Sequence, residues 1–292
     1  MTDRLRRVAA FPLVRLALII ALCVALATPV VLLMNGHAGR WRSLLVTWIM
    51  VAILAAVTIS VERICAGKSI AAIGLAPERA PRDFALGVLL GVVLFSLVVG
   101  ELAFGGYYHI IEVHPAWNLV RVALLLIGGA ISEELLFRAV IFRLIQEWAG
   151  TWIALAVSAA FFGLAHAANP GATWFSSLAI ALEAGVLLGA AFVVTRNLWF
   201  PIGLHFAWNF CEGPVFGTQV SGNVLSATAI TARLSGPSLV TGGSFGPEAG
   251  LAAVITCLIA AVALLAAARR YGLIVPPAWL RTATSTVPIS SV

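Results

Sequence analysis

Six polar side chains that could take part in catalysis lie in otherwise strongly apolar stretches of the sequence. They are Glu133, Glu134, Arg138, His166, His205 and Asn209. A charged side chain in a bilayer costs roughly 2.5 to 3.5 kcal/mol even on the lower scales, so such residues usually face the interior of a helix bundle and serve a function. These residue types can activate a water molecule and stabilise an oxyanion, the two requirements of peptide-bond hydrolysis.

The first motif contains two adjacent carboxylates with different surroundings. On a helix, Glu134 and Arg138 are four residues apart and therefore neighbours, so the spacing predicts an ion pair. Glu133 points about a quarter-turn away and has no cation within reach on its own helix. It is therefore the candidate general base. The structural alternative is an ion pair plus an isolated carboxylate at the end of a helix.

Two further motifs supply the partners that such a base needs. His166 closes an apolar segment, and His205 shares one helix face with Asn209 because four residues separate them. Each has a structural explanation when taken alone, as an interfacial histidine and as a hydrogen-bond clamp between helices. Their combination with Glu133 on three apolar segments favours catalysis, with Glu133 taking a proton from water and His166 orienting that water or shuttling protons. His205 and Asn209 would then donate hydrogen bonds to the oxyanion.

A zinc site is the alternative use of the same side chains. Glu133, His166 and His205 are acceptable zinc ligands, and a metal there would lower the pKa of its bound water. The sequence contains no His-Glu-x-x-His motif and no tract rich in Cys and His. The residues alone do not decide between the two mechanisms, and we favour the one without a cofactor.

Composition places these motifs in a membrane protein. The chain has 292 residues, of which 61% are hydrophobic and 10% charged, far fewer charges than the roughly 25% of soluble domains. Counting about 20 apolar residues per span, we predict an all-α, polytopic bundle of about eight transmembrane helices. The predicted spans are Leu16–Met34, Leu44–Val61, Phe84–Phe104, Trp117–Ile131, Thr151–Ala168, Phe175–Val194, Leu198–Cys211 and Gly250–Ala268.

Charge distribution predicts the orientation of this bundle. Eight spans leave both termini on one side, and fourteen of the eighteen Lys and Arg residues fall on that side, which is therefore predicted to be cytoplasmic. Arg40 and Arg42 count against this orientation. The net charge of +6 is explained by basic residues on one membrane face, and no basic stripe interleaved with aromatics indicates nucleic-acid binding.

The three motifs together resemble those of a known family. Glu-Glu-x-x-x-Arg at 133–138, Phe-x-x-x-His from Phe162 to His166 and His-x-x-x-Asn at 205–209 are similar to the motifs of the CPBP family. This family contains the type II CAAX prenyl endopeptidases and their relatives among bacterial immunity proteins. The resemblance extends over about residues 80–268 and implies an eight-helix intramembrane endopeptidase. It implies catalysis by Glu133, His166, His205 and Asn209, supported by Glu134, Arg138 and Phe162.

The sequence therefore predicts three regions and one leading function. Residues 1–79 hold two helices and a cytoplasmic connection, residues 80–268 the protease core, and residues 269–292 a cytoplasmic tail. The leading hypothesis is an endopeptidase in a bacterial plasma membrane that cleaves a membrane-associated protein or peptide, with CAAX-type processing as one form. The alternative is a catalytically silent scaffold or regulator in which the polar network serves helix packing.

Overall fold

The computed structural model describes residues 3–34, 41–115 and 119–281. Helices dominate these ranges, which confirms the all-α membrane bundle. The α-helices are α1 Asp3–Ala10, α2 Pro12–Met34, α3 Arg42–Ala66, α4 Ala80–Phe104, α5 Leu119–Glu134, α6 Arg143–Ala165, α7 Trp174–Ile180, α8 Val186–Thr195, α9 Trp199–Phe210, α10 Ser238–Thr241 and α11 Leu251–Arg270.

Every predicted span is helical where it is described, but the spans are not equivalent. Five helical segments are long and apolar enough to cross a membrane: Pro12–Met34, Arg42–Ala66, Pro77–Phe104, Trp174–Thr195 and Leu251–Arg270. The other three predicted spans correspond to α5, α6 and α9, which carry the polar motifs. Trp117, the predicted start of the fourth span, lies outside the described residues. The protein is thus an integral membrane protein, and its polar motifs lie on the three spans outside the apolar five.

Three π-helical turns interrupt the helices, each beside or around a glutamate. Leu135–Phe142 follows Glu134, Ala181–Gly185 joins α7 to α8 and contains Glu183, and Cys211–Val215 extends α9 and contains Glu212. The irregular continuation of α9 beyond Cys211 agrees with the sequence, which predicts a short seventh span. Such π-turns are rare and are frequently found at functional sites.

Small residues bring the polar helices close to their neighbours. A Cβ added at Gly203 of α9 would collide with the backbone oxygen of Phe84 on α4, and one added at Gly163 of α6 would collide with that of Ser177 on α7. Membrane helices commonly use small residues for this close approach. The packing fixes α9 against α4 and α6 against α7, and thereby the helices that carry His205 and His166.

An ion-pair network joins the first two spans to α6. Glu62 of α3 accepts a hydrogen bond from Arg15 at 2.6 Å and forms a salt bridge with Arg143 at 3.1 Å. Glu147 accepts from Arg143 at 2.7 Å and also pairs with Arg15 and Lys68. Burial would raise the pKa of Glu147, but the positive charges of Arg143, Lys68 and Arg15 outweigh burial and hold that pKa below its ordinary value.

A small two-stranded antiparallel sheet lies beyond the C-terminal end of α4. Strand β1, Tyr108–Val113, pairs antiparallel with β2, Ile230–Leu234, in a register from Tyr108 opposite Leu234 to Val113 opposite Ile230. The Tyr108 hydroxyl donates to the backbone oxygen of Phe216 at 2.8 Å. The sequence does not predict this sheet, which holds the long connection between α9 and α11 against the bundle.

The division into three regions remains a prediction. In the first region α2 packs against α3, and these helices also contact α6 and α5. Residues 282–292 of the predicted tail, like residues 1–2 and 35–40 of the first region, lie outside the described residues.

Candidate active site

The candidate base and the two histidines converge on one point. Oε2 of Glu133 lies 3.9 Å from Nε2 of His166 and 3.9 Å from Nε2 of His205. These distances exceed hydrogen-bond range, so neither imidazole is directly bonded to the carboxylate. Three different helical segments thus place these atoms around a common space.

Local hydrogen bonding fixes the proton on His166. Its Nδ1 lies 2.8 Å from the backbone oxygen of Phe162, one turn earlier on α6. A carbonyl oxygen only accepts, so Nδ1 carries the proton and the Nε2 that faces Glu133 is free to accept one. The Phe162 ring packs against the rings of His166 and His205, with centroid separations of 4.8 and 6.0 Å. Phe162 therefore positions both imidazoles.

Glu134 links Arg138 to His205. Arg138 Nη1 donates to Glu134 Oε1 at 2.9 Å, as the spacing predicts, and His205 Nδ1 donates to the same oxygen at 3.0 Å. The guanidinium also donates to the backbone oxygen of Ala184 at 3.1 Å and lies 4.6 Å from the Phe162 ring centroid. The bond from His205 to Glu134 was missed from the sequence, because it joins residues on different helices.

A cavity opens beside these groups. Its polar lining includes His166, His205 and Asn209, while Ile180, Leu187 and Leu204 contribute to its apolar wall. Asn209 thus faces the same space as both histidines, one helical turn from His205. The side chain of Glu133 is 35% exposed, whereas that of Glu134 is fully buried. Of the two carboxylates, only Glu133 is partly exposed, and its Oε2, which faces the histidines, is buried without a hydrogen-bond partner among the described residues.

A group of buried carboxyls extends the polar surface away from Glu133. Glu183, Glu212 and Glu248 are between 0% and 2% exposed, and Glu183 and Glu248 line the cavity. The carboxyls of Glu212 and Glu248 lie beside each other, and Ser221 lies beside Glu248. No salt bridge found between described residues includes any of the three. Like charges so close in apolar surroundings cannot all be ionised.

Little in the sequence indicates that these three carboxyls lie beside the site. The sequence position of Glu183 is unusual, since it is a glutamate inside an apolar span. Glu212 and Glu248 stand at the two ends of a connection rich in Gly and Ser, and its fold back into the bundle depends on tertiary contacts. One such contact is the hydrogen bond from the Gly222 amide to the Phe245 carbonyl, at 2.6 Å.

The residues proposed as zinc ligands do not form a metal centre as they are placed. Within the described ranges, no group of three or more His, Cys, Asp and Glu side chains is arranged to hold a metal ion.

The segment that carries the three motifs also matches a known protein family. Residues 115–211 match the family model described as Type II CAAX prenyl endopeptidase Rce1-like. The match confirms the resemblance to the CPBP family and contains all three motifs. The Rce1-like family is one of membrane proteases, acting on protein or peptide substrates in a lipid environment. Searches of curated proteins and of solved structures found no match.

Proposed function

We propose that this chain is an intramembrane endopeptidase in which Glu133 activates the attacking water. The observation that carries this proposal is the meeting of Glu133 Oε2 with the Nε2 atoms of His166 and His205, each 3.9 Å away. The Rce1-like match over the same residues supports hydrolysis of a peptide bond as the reaction.

The geometry supports a defined sequence of proton movements. Glu133 accepts a proton from water, with His166 Nε2 as a second acceptor that orients it, and the hydroxide attacks the scissile carbonyl carbon. The carbonyl oxygen becomes an oxyanion that accepts hydrogen bonds from Asn209 and from a protonated His205. Because His205 Nδ1 already donates to Glu134, only the doubly protonated ring can also donate through Nε2. The proton on Glu133 then passes to the leaving nitrogen, and the C–N bond breaks.

The membrane setting limits the substrate and the orientation. We infer that the substrate is a membrane-associated protein or peptide, with CAAX-type processing as one form of the reaction. A bacterial plasma membrane with both termini in the cytoplasm is the setting that fits the sequence. We propose no nucleic-acid partner.

Glu133→Gln tests the mechanism, because the amide keeps the size of the side chain and cannot accept the proton. We expect kcat to fall at least about 100-fold, the lower end for general-base catalysis, with unchanged folding. Glu101→Gln is the matched control, since Glu101 is an exposed glutamate at the far end of α4. Termini of membrane proteins, compared by proteomics between wild-type and Glu133→Gln cells, would identify the substrate.

A chelator separates the glutamate mechanism from the zinc alternative. Activity should persist after treatment with EDTA and 1,10-phenanthroline, and purified active protein should contain less than one metal ion per chain. Loss of activity that added zinc restores would contradict this mechanism.

The buried network of Glu134, Arg138 and the Ala184 carbonyl favours a second candidate, a non-enzymatic scaffold. In that case Glu133→Gln would leave the cellular phenotype and partner binding intact, whereas Arg138→Ala would remove both by destabilising the fold. A phenotype lost with Glu133→Gln in a stably folded protein excludes the scaffold.

A further inference from the structure

The candidate mechanism leaves one polar group of α9 without a role, the indole N–H of Trp208. Trp208 lies three residues after His205 and one before Asn209. At about 100° per residue, these three side chains fall within one face of the helix. All three line the same cavity. Trp208 is therefore placed with the residues that we assign to the oxyanion.

The Trp208 indole is buried and its nitrogen has no partner. The residue is 6% exposed, and Nε1 forms no hydrogen bond with any described residue. An indole N–H is only a donor, and buried tryptophans usually find an acceptor for it. A buried donor left unpaired costs folding stability. Trp199, on the same helix, shows the usual arrangement, since its Nε1 donates to the backbone oxygen of Ala76 at 3.1 Å.

Aromatic packing holds the Trp208 ring in a fixed position. Phe95 of α4 meets it edge to face, with centroids 4.9 Å apart and planes at 84°. The backbone of α9 at this point is pressed against Gly91 of α4. An aromatic ring so confined is preorganised, which is the property that makes a hydrogen-bond donor effective in stabilising developing charge.

We propose that Trp208 is a catalytic residue, whose Nε1–H donates a hydrogen bond to the oxyanion of the tetrahedral intermediate alongside Asn209. This inference rests on the proposed endopeptidase function and adds a donor to its site. The N–H has no acceptor among the described residues, and it gains one when negative charge develops on the substrate carbonyl. Transition-state stabilisation therefore exceeds ground-state binding, so the effect falls on kcat rather than on KM.

Trp208→Phe is the direct test, because it removes the N–H and keeps an aromatic ring against Phe95. With a fluorogenic prenylated CAAX peptide, we expect kcat to fall by roughly 10²- to 10³-fold, as for loss of one oxyanion donor, with KM within about twofold. The melting temperature should fall only by the cost of the lost ring volume, and so less than for a Trp→Phe change that also breaks a hydrogen bond. Wild-type kcat in Trp208→Phe, or a rise in KM alone, would overturn the proposal.

Trp199→Phe is the matched control. It deletes the same N–H from the same helix but breaks the bond to Ala76, so the melting temperature should fall while kcat per folded molecule is retained. A similar fall in melting temperature for Trp208→Phe would show that its N–H is a structural donor and would overturn the inference. Glu133→Gln separates the two proposals: if it is inactive while Trp208→Phe is fully active, the proposed function stands and the role of Trp208 does not.

Binding gives a readout that does not need turnover. A peptide aldehyde, whose hydrated carbonyl imitates the tetrahedral intermediate, should shift the indole N–H resonance of Trp208 and bind at least about tenfold more weakly to Trp208→Phe. Equal affinity for both proteins, with an unshifted resonance, would refute the proposal.

Discussion

At the scale of single residues, two adjacent glutamates have opposite surroundings. Glu133 is partly exposed beside the cavity, whereas Glu134 is fully buried between Arg138 and His205. A carboxylate that is not held by a guanidinium or an imidazole can exchange a proton with a reactant. A carboxylate that already accepts from a guanidinium and an imidazole serves better as a fixed negative charge, which orients His205 and favours its protonated form.

This difference predicts the behaviour of Glu134→Gln. The amide would leave the buried Arg138 without its carboxylate, and breaking a buried pair from one side costs about 3–5 kcal/mol. We expect a lower melting temperature and a loss of activity, measured on purified protein in detergent. Glu212→Gln is the matched control: Glu212 is equally buried but has no salt bridge with a described residue, so the neutral amide should be tolerated. Equal destabilisation by both substitutions would contradict this interpretation.

The sequence predicts part of this residue network. The pair of Glu134 and Arg138 follows from helical spacing, and the joint use of Glu133, His166 and His205 was inferred from their chemistry. The bond from His205 to Glu134 and the contact of Glu212 with Glu248 join residues 71 and 36 positions apart. Spacing on one helix carries no information about such contacts, which arise only when helices pack.

At the scale of helices, close packing of α9 on α4 places His205 and Asn209. The hydropathy pattern predicts both helices, yet it does not show which faces of α5, α6 and α9 point into the bundle. Hydropathy also gives no sign of the π-turns, because one added residue per turn leaves the apolar content of a segment unchanged. The element that the sequence treats as a linker, residues 212–248, carries a strand and lines the cavity through Ser221 and Glu248.

The contact between these helices predicts that Gly203→Ala is damaging. The new methyl group would collide with the backbone oxygen of Phe84, so α9 must move away from α4. Overpacking of this kind costs about 1–3 kcal/mol. We therefore expect a lower melting temperature together with a fall in kcat, because His205 and Asn209 move with α9.

Gly100→Ala controls for the change from glycine to alanine. Gly100 also lies on α4, and nothing lies within 4 Å of a Cβ placed there. Stability should be unchanged or slightly higher, since alanine is favoured in helices by roughly 0.5–1 kcal/mol. If Gly100→Ala were as harmful as Gly203→Ala, helix contact would not be the cause.

At the scale of the whole molecule, buried ion pairs add to an apolar cluster in joining the first two spans to the rest. Arg15, Arg138 and Arg143 are all nearly or fully buried in such pairs. From the sequence they are expected at one membrane face, whereas in the structure they lie in the interior of the fold. The orientation of the termini is accordingly a proposal that rests on the remaining basic residues, and a reporter fused to each terminus would test it.

The ion-pair network predicts how the stability of the bundle depends on pH. The pKa of Glu147 lies below its ordinary value of 4.5, because Arg143, Lys68 and Arg15 outweigh the opposing effect of burial. A carboxylate with a lower pKa in the folded state stabilises that state fully above its unfolded pKa, and this stabilisation is lost as pH falls through the folded pKa. The wild-type protein should therefore lose stability below about pH 4.5.

Glu147→Gln isolates this contribution. The neutral amide cannot lose a charge, so the variant should melt at a lower temperature at neutral pH and show a smaller further decrease on acidification. Glu78→Gln is the control, since Glu78 is exposed near the same end of the bundle and forms no salt bridge with a described residue. Melting curves of the three proteins between pH 7 and pH 4 make the comparison. If Glu147→Gln kept the full acid sensitivity of the wild type, the network would not be the link between the first two spans and α6.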